Sequence, residues 1–338
     1  MKLFGCQWSV GGKLILCFVL SGVIVAFCLP TQAQQPKKVP RIGYLAGVVF
    51  ATNSDRTDAF RQGLRQLGYA EGKDFVIEDR NAGGKLDRLN ELAAELVRLK
   101  VDVIVTRGPD STRGAKAATA TIPIVMTLDP DPVGNGFVAS LAHPGRNITG
   151  LSNLAPEISG KQLELLKETV PKLSRVAVLW TSTTPGQALQ LREIGLAAGP
   201  LNVQLQSLDV LQAKDIEAAF QTASDQSAEA FIVLTGAILN AQRTRILEYV
   251  VKNRLPAIYS DPRYVEAAGG LMSYGVNVTD LDRRAATYVD KILKGAKAGD
   301  LPVEQPKKFE LIVNLKAAKQ IGVTIPPNVL ARADRVIK

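Results

Sequence analysis

The side chains that most often carry covalent chemistry are nearly absent from this sequence. One histidine occurs in the 338 residues, His143, inside the turn-like run Leu141-Ala142-His143-Pro144-Gly145, and it reads as a surface loop residue. All three cysteines, Cys6, Cys17 and Cys28, fall within the first 33 positions, so the rest of the chain offers no thiolate nucleophile, no disulfide and no zinc site of ordinary spacing. Asp129 and Asp131 form a paired-carboxylate candidate for acid–base work. Each precedes a proline, however, and Asx-type turns account for them equally well. No Gly-Lys-Ser/Thr phosphate loop and no six-residue dinucleotide fingerprint occurs. A secreted enzyme acting through Asp129 and Asp131 is therefore the weakest reading; no catalytic residue, metal or cofactor is expected.

The polar groups that remain suit reversible binding, and they gather where apolar runs end. Gly108 permits a tight turn after one such run, and Ser111 or Thr112 then either caps the following helix or offers its hydroxyl to an anion such as an amino-acid carboxylate. Thr183, within Thr181-Ser182-Thr183-Thr184, and Thr235 take the matching position in the second half, and Ser54 follows the first run. An ammonium group would need an acid, for which Asp129 and Asp261 stand nearest. Tyr44, Trp180, Tyr259 and Tyr274 lie at or near run ends, where an aromatic ring either stacks on a ligand or fills the core. The candidate ligand-binding set is Tyr44, Ser54, Gly108, Ser111, Thr112, Asp129, Thr183, Thr235, Asp261 and Tyr274.

The elements that must hold these groups follow from the apolar pattern. Runs at 41–47, 75–79, 101–106, 122–128, 175–180, 203–208, 231–235 and 256–260 are apolar nearly throughout, as strands buried on both faces are. Amphipathic segments alternate with them. Leu86, Leu89, Leu92, Ala93, Leu96 and Leu99 recur at three and four residues and make one apolar stripe, and Phe60, Leu64 and Leu67 do the same in a helix ended by Gly68. Such alternation predicts an α/β chain with mostly parallel sheets flanked by helices, and open sheets of that kind bind ligands beyond the carboxyl ends of their strands. Asp-Pro-Asp-Pro at 129–132 and Pro-Gly-Arg-Asn at 144–147 punctuate the midpoint. The reading is two lobes with the ligand cleft between them: residues 41–150 plus about 272–315 in the first, and 151–271 plus about 316–338 in the second.

Residues 1–33 have the three parts of a secretory signal: Lys2 and Lys13, an apolar run of about 16 residues, and a polar exit in which Thr31 and Ala33 supply the small side chains of a cleavage site. The run is shorter than the ~20 residues that span a bilayer, which disfavours an uncleaved anchor, and bulky Phe27 disfavours a lipid on Cys28. Residues 34–40 then form a polar tether. The 305 residues after position 33 keep +7 of the precursor's +9, since the signal carries two lysines and no acid. Those charges are interleaved by sign and lack aromatic neighbours, so no nucleic-acid surface is expected. A chain of that length folds without disulfides.

Taken together, several motifs resemble the substrate-binding proteins of ABC transporters of the tryptophan/tyrosine type. They include Ala33-Gln34-Gln35, the run from Ala59-Phe60-Arg61-Gln62-Gly63-Leu64 to Gly68-Tyr69, Val101-Asp102-Val103-Ile104-Val105, Asp131-Pro132-Val133, Pro144-Gly145-Arg146-Asn147-Ile148-Thr149-Gly150, Gly269-Gly270-Leu271-Met272-Ser273-Tyr274-Gly275 and Ile325-Pro326-Pro327. The resemblance is nearly end to end. It implies a type I periplasmic binding protein fold, a periplasmic location after cleavage near Ala33, and capture of a small molecule, an aromatic or other amino acid. It further implies a monomer that delivers its ligand to an ABC permease and its ATPase in the inner membrane. The loop from Gly108 to Arg113 departs from the Gly-Thr-Pro-like run associated with the family. A ligand-sensing adaptor that presents its closed form to a membrane receptor would use the same fold.

Overall fold

Among the described residues, twelve strands are arranged in two sheets by the alternation just described. The computed structural model describes Gly5 and residues 38–47, 54–153, 155–306 and 308–338, with the side chains at 54–56 left aside. Apart from Gly5, the expected signal lies outside the described residues, as do residues 34–37 of the tether. Val39–Lys338 forms one compact unit.

In the larger unit the chain first lays down β1 (Arg41–Ala46), α1 (Ser54–Gln66), β2 (Val76–Asn81), α2 (Leu89–Arg98), β3 (Val103–Arg107), α3 (Pro109–Ala118), β4 (Ile124–Asp129) and β5 (Ile148–Ser152). These five strands pair in the order β2-β1-β3-β4-β5, all parallel. The next stretch supplies α4 (Ala155–Thr169), β6 (Arg175–Trp180), α5 (Gln187–Ala198), β7 (Gln204–Asp209), α6 (Asp215–Asp225), β8 (Ala230–Val233), α7 (Ala237–Ala241), α8 (Arg243–Lys252), β9 (Ala257–Tyr259), α9 (Arg263–Glu266) and β10 (Met272–Val276). After α10 (Val278–Leu293) come β11 (Phe309–Asn314), α11 (Leu315–Ile321), α12 (Pro327–Leu330) and β12 (Arg335–Ile337). The second sheet runs β12-β11-β10-β9-β8-β6-β7, parallel except where β11 lies antiparallel to β10.

Each sheet is buried on both faces, which is why its central strands show no polar alternation. Ile42, Tyr44, Phe60, Leu64 and Val105 pack on one side of the first sheet, and Leu45, Leu92, Leu96, Ile104 and Met126 on the other. Burying a side chain of this size contributes about 1.5–3 kcal/mol. Helix α10 crosses α1 on the first of these faces. Gly63 makes that approach possible, because a Cβ there would lie 2.4 Å from the Arg283 carbonyl oxygen.

The chain passes between the sheets after β5, at Asn277 and before β11. Asn277 caps α10, its side chain accepting the Asp280 N–H at 2.9 Å. This path differs from the expectation that about 272–315 belongs to the first lobe. Its two strands, β10 and β11, extend the second sheet instead, while α10 and the segment 298–304 pack on the first. Periodicity identified the strands, but it carries no information about which sheet edge a returning strand joins.

Candidate functional site

The carboxyl ends of β1, β3 and β4 face those of β6, β8 and β9 across a cleft enclosing about 820 Å³ of empty space, the part open to solvent included. The first lobe contributes Gly47 after β1, Arg107 to Ser111 around the start of α3, and Leu128 and Pro130 at the end of β4. The second contributes Thr184, Pro185 and Gln190 around α5, Thr235, Gly236 and Asn240 around α7, and Ser260, Asp261 and Arg263 after β9. Asn153, Val276 and Val278 close the cleft at the crossings.

Local backbone geometry sets the first-lobe wall. Between Met126 and Asp129, β4 carries one residue more than β5 opposite it, and Leu128 takes φ +62° within that bulge. Bulges of this kind re-aim side chains at sheet ends and commonly border sites. Gly108, φ +79°, is the N-cap of α3 and donates its N–H to the Thr127 carbonyl at 2.9 Å. Neither Ser111 nor Thr112 caps the helix. The Thr112 hydroxyl is spent on Thr106 Oγ1 at 2.8 Å and the Gly108 carbonyl at 3.1 Å, whereas Ser111 Oγ is buried with no partner.

Two side chains of the second lobe share this condition. Gln190 Oε1 and Asn240 Oδ1 line the cleft, are buried, and accept no hydrogen bond. Gln187, one turn before Gln190, braces that wall: its Oε1 accepts the Thr181 N–H at 2.6 Å and its Nε2 donates to the Thr235 carbonyl at 3.0 Å.

Of the ten candidate residues, Gly108, Ser111, Thr235 and Asp261 line the cleft. Tyr44 is instead core, tilted against Phe60 with centroids 5.8 Å apart, and Tyr274 packs on Phe309 at 6.1 Å. Thr112 sits behind Ser111, and Thr183 turns its carbonyl to Arg113. Ser54 begins α1, with its side chain outside the described set. Asp129 lies behind Leu128 and Pro130. Its Oδ1 accepts from the Asp131 N–H and from Asn135 Nδ2, both at 3.0 Å, so the Asx turn is what the geometry contains. Burial pushes its carboxyl up to about 7. Asp261 is gripped by Arg263 through Nε at 2.9 and 3.1 Å, through Nη2 and through the backbone N–H at 3.0 Å. The stacked pair Tyr259–Tyr264 belongs to the second-lobe core, and among the described residues no aromatic ring lines the cleft.

Arg107, Asp110, Gln190 and Asn240 were missing from the sequence-based set. Gln190 and Asn240 stand one turn into the helices that follow β6 and β8, beyond the strand ends to which the positional argument was confined. Extending it by a helical turn would have reached them. Among the described residues no cluster of His, Cys, Asp and Glu could hold a metal, and no helix is long and apolar enough to cross a membrane.

A two-lobed α/β fold with a polar interlobe cleft is shared by many proteins, and the comparisons decide among them. Residues 50–337 match the family model described as ABC transporter substrate binding protein. The chain belongs to this family. Its fold is that of the type I periplasmic binding proteins, and the family consists of binding proteins rather than enzymes. The chain is 25% identical over 327 residues to a curated relative named tyrosine-binding protein from Clostridioides difficile, covering 93% of this chain and 94% of that one. Among solved structures, a conserved domain protein from Vibrio cholerae superposes with a TM-score of 0.83 at 28% identity, covering 88% of this chain and all of that one. The ABC domain from Streptococcus pneumoniae in complex with L-Trp gives a TM-score of 0.82 at 26% identity, with 88% and 99% covered. This substrate-binding protein thus shares its fold with a chain solved in complex with L-Trp.

Proposed function

We propose that this protein captures a small amino acid, aromatic or apolar in its side chain, in the interlobe cleft and delivers it as a monomer to the permease of an ABC importer. Export past the inner membrane, with cleavage after Ala33, completes the reading. One observation carries it: Ser111, Gln190 and Asn240, drawn from both lobes, turn buried and unpartnered polar atoms on the same cleft. Each such atom costs about 1–3 kcal/mol when left unmade, a cost that a polar ligand removes. The walls between these groups, Ala46, Leu128, Pro130, Pro185, Val276 and Val278, are apolar and suit a hydrocarbon or aromatic side chain. The relatives described above, one named for tyrosine and one holding L-Trp, support the ligand class.

Thermal shift followed by calorimetry tests it, with L-tryptophan, L-tyrosine, the other amino acids, small carboxylates and nucleosides as probes. Saturable binding of at least one amino acid, with a raised Tm, is expected. A protein whose Tm no probe moves would overturn the proposal.

A further inference from the structure

We infer that Asp110 is the ammonium acceptor of the cleft, so that the first turn of α3 holds both ends of an α-amino-acid headgroup and the site rejects amine-free carboxylates. The inference rests on the amino-acid reading above and names the residue that enforces it.

Neither acid expected in this role is placed for it. Asp261 is wrapped by the Arg263 guanidinium and backbone N–H, and Asp129, with Oδ1 committed to an Asx turn and Oδ2 buried without a partner, is not among the residues that line the cleft. Asp110 differs from both: it lines the cleft, and no described residue forms a hydrogen bond or ion pair with its carboxylate. Its neighbours make the same turn a donor site. Backbone N–H groups of a helix's first turn have no partner within the helix, and next to them stands Ser111 Oγ, 1% exposed and unpaired. In an α-amino acid the carboxylate and ammonium hang from one carbon. A first turn that offers donors at Ser111 and an acceptor at Asp110 matches that spacing, leaving Gln190 and Asn240 of the facing lobe to read the far end of the ligand.

The surrounding charges agree with this assignment. Arg113, one turn along α3, spends its guanidinium on the Thr183 carbonyl; Arg107 closes β3, Asp129 ends β4, and across the cleft Arg263 is neutralised by Asp261. Burial, partly offset by Arg113, pushes Asp110 up to about 6. A bound ammonium reverses that push, so affinity should decline below pH 6.

The test measures calorimetric affinities of L-tryptophan and L-tyrosine against indole-3-propionate and 3-(4-hydroxyphenyl)propionate, which lack only the amine. Wild type should prefer the amino acids by about 30-fold or more, as expected for a desolvated charge pair. Asp110→Asn should lose about that factor for the amino acids alone, with a pH profile flat through 6, while Asp110→Glu recovers part of it. Ser111→Ala should weaken both probe classes. The Tm of each unliganded variant checks the fold, and Asp110→Glu keeps the question answerable if the asparagine variant is unstable. Wild type that binds the amine-free probes equally well, or Asp110→Asn that keeps the preference, overturns the assignment and leaves the binding-protein reading standing. Wild type that binds none of the probes overturns both.

Discussion

Arg113 in the first lobe donates from both Nη atoms to the backbone carbonyl of Thr183 in the second, at 3.3 and 3.4 Å. The bond spans the cleft mouth and exists only while the lobes stand this close. Contacts of this kind, lost when lobes separate, set how long a ligand is retained.

Arg113→Ala should therefore weaken amino-acid affinity by about 3–10-fold, the equivalent of one charge-assisted bond at a partly solvated site. Stopped-flow kinetics should place the change in dissociation. An unchanged off-rate would mean that Arg113 takes no part in closure.

Gly186 forms a second closing contact. With φ +80° it sits so near Pro130 of the facing lobe that a Cβ would come within 2.5 Å of the proline ring. Gly186→Ala adds about 1–2 kcal/mol of backbone strain and wedges the lobes apart. Calorimetry should show affinity reduced about 10-fold or more, with the unliganded Tm lowered by only a few degrees.

Asp129 gives the fold a pH signature. Its folded carboxyl holds a proton up to about pH 7, whereas an unfolded aspartate releases it near 3.8. The folded state thus binds the extra proton between those values, and the associated stability is full below 3.8 and lost as pH rises through 7. Glu229, Asp290 and Asp334 are held below their ordinary range and act oppositely, losing stability as pH falls. Urea titrations should find Asp129→Asn more stable than wild type at pH 7.5, by on the order of 1–3 kcal/mol, with the gap narrowing toward pH 4.5. A gap that stays constant with pH would rule out Asp129 as its source.

Tyr69 donates its hydroxyl to Asp290 Oδ1 at 2.7 Å, tying the end of α1 to α10. Tyr69→Phe should cost about 1–2 kcal/mol in denaturant unfolding, since the carboxylate keeps Lys294 but loses a donor. Ligand affinity should be unaffected, because neither residue lines the cleft.

The strands were legible because burial on both faces leaves a continuous apolar run: 175–180 was read to the residue, and 41–47 and 203–208 to within one. Side-chain destinations were less legible. Tyr44 and Gly108 both sit at or near the end of a β-strand, yet the tyrosine turns inward onto Phe60 while the glycine opens the cleft. Period-2 alternation separates those fates only when one face is polar, and here neither is. Asp110 and Asp261 posed the converse problem. Each is an acid next to a proline just past a strand end, and only the partner brought by the fold, Arg263 for Asp261 and none for Asp110, distinguishes a structural carboxylate from one free for a ligand.

Helix α10, built from residues 278–293, shares with α1 the cover of one face of the first sheet, whereas the sheet's own strands end at residue 152. During synthesis that face must wait for about 125 further residues before Leu281, Ala285 and Val289 arrive to cover it. Part of that face consequently stays uncovered from residue 152 until residues 278–293 have been made, and the first sheet is completed by a late segment of the chain.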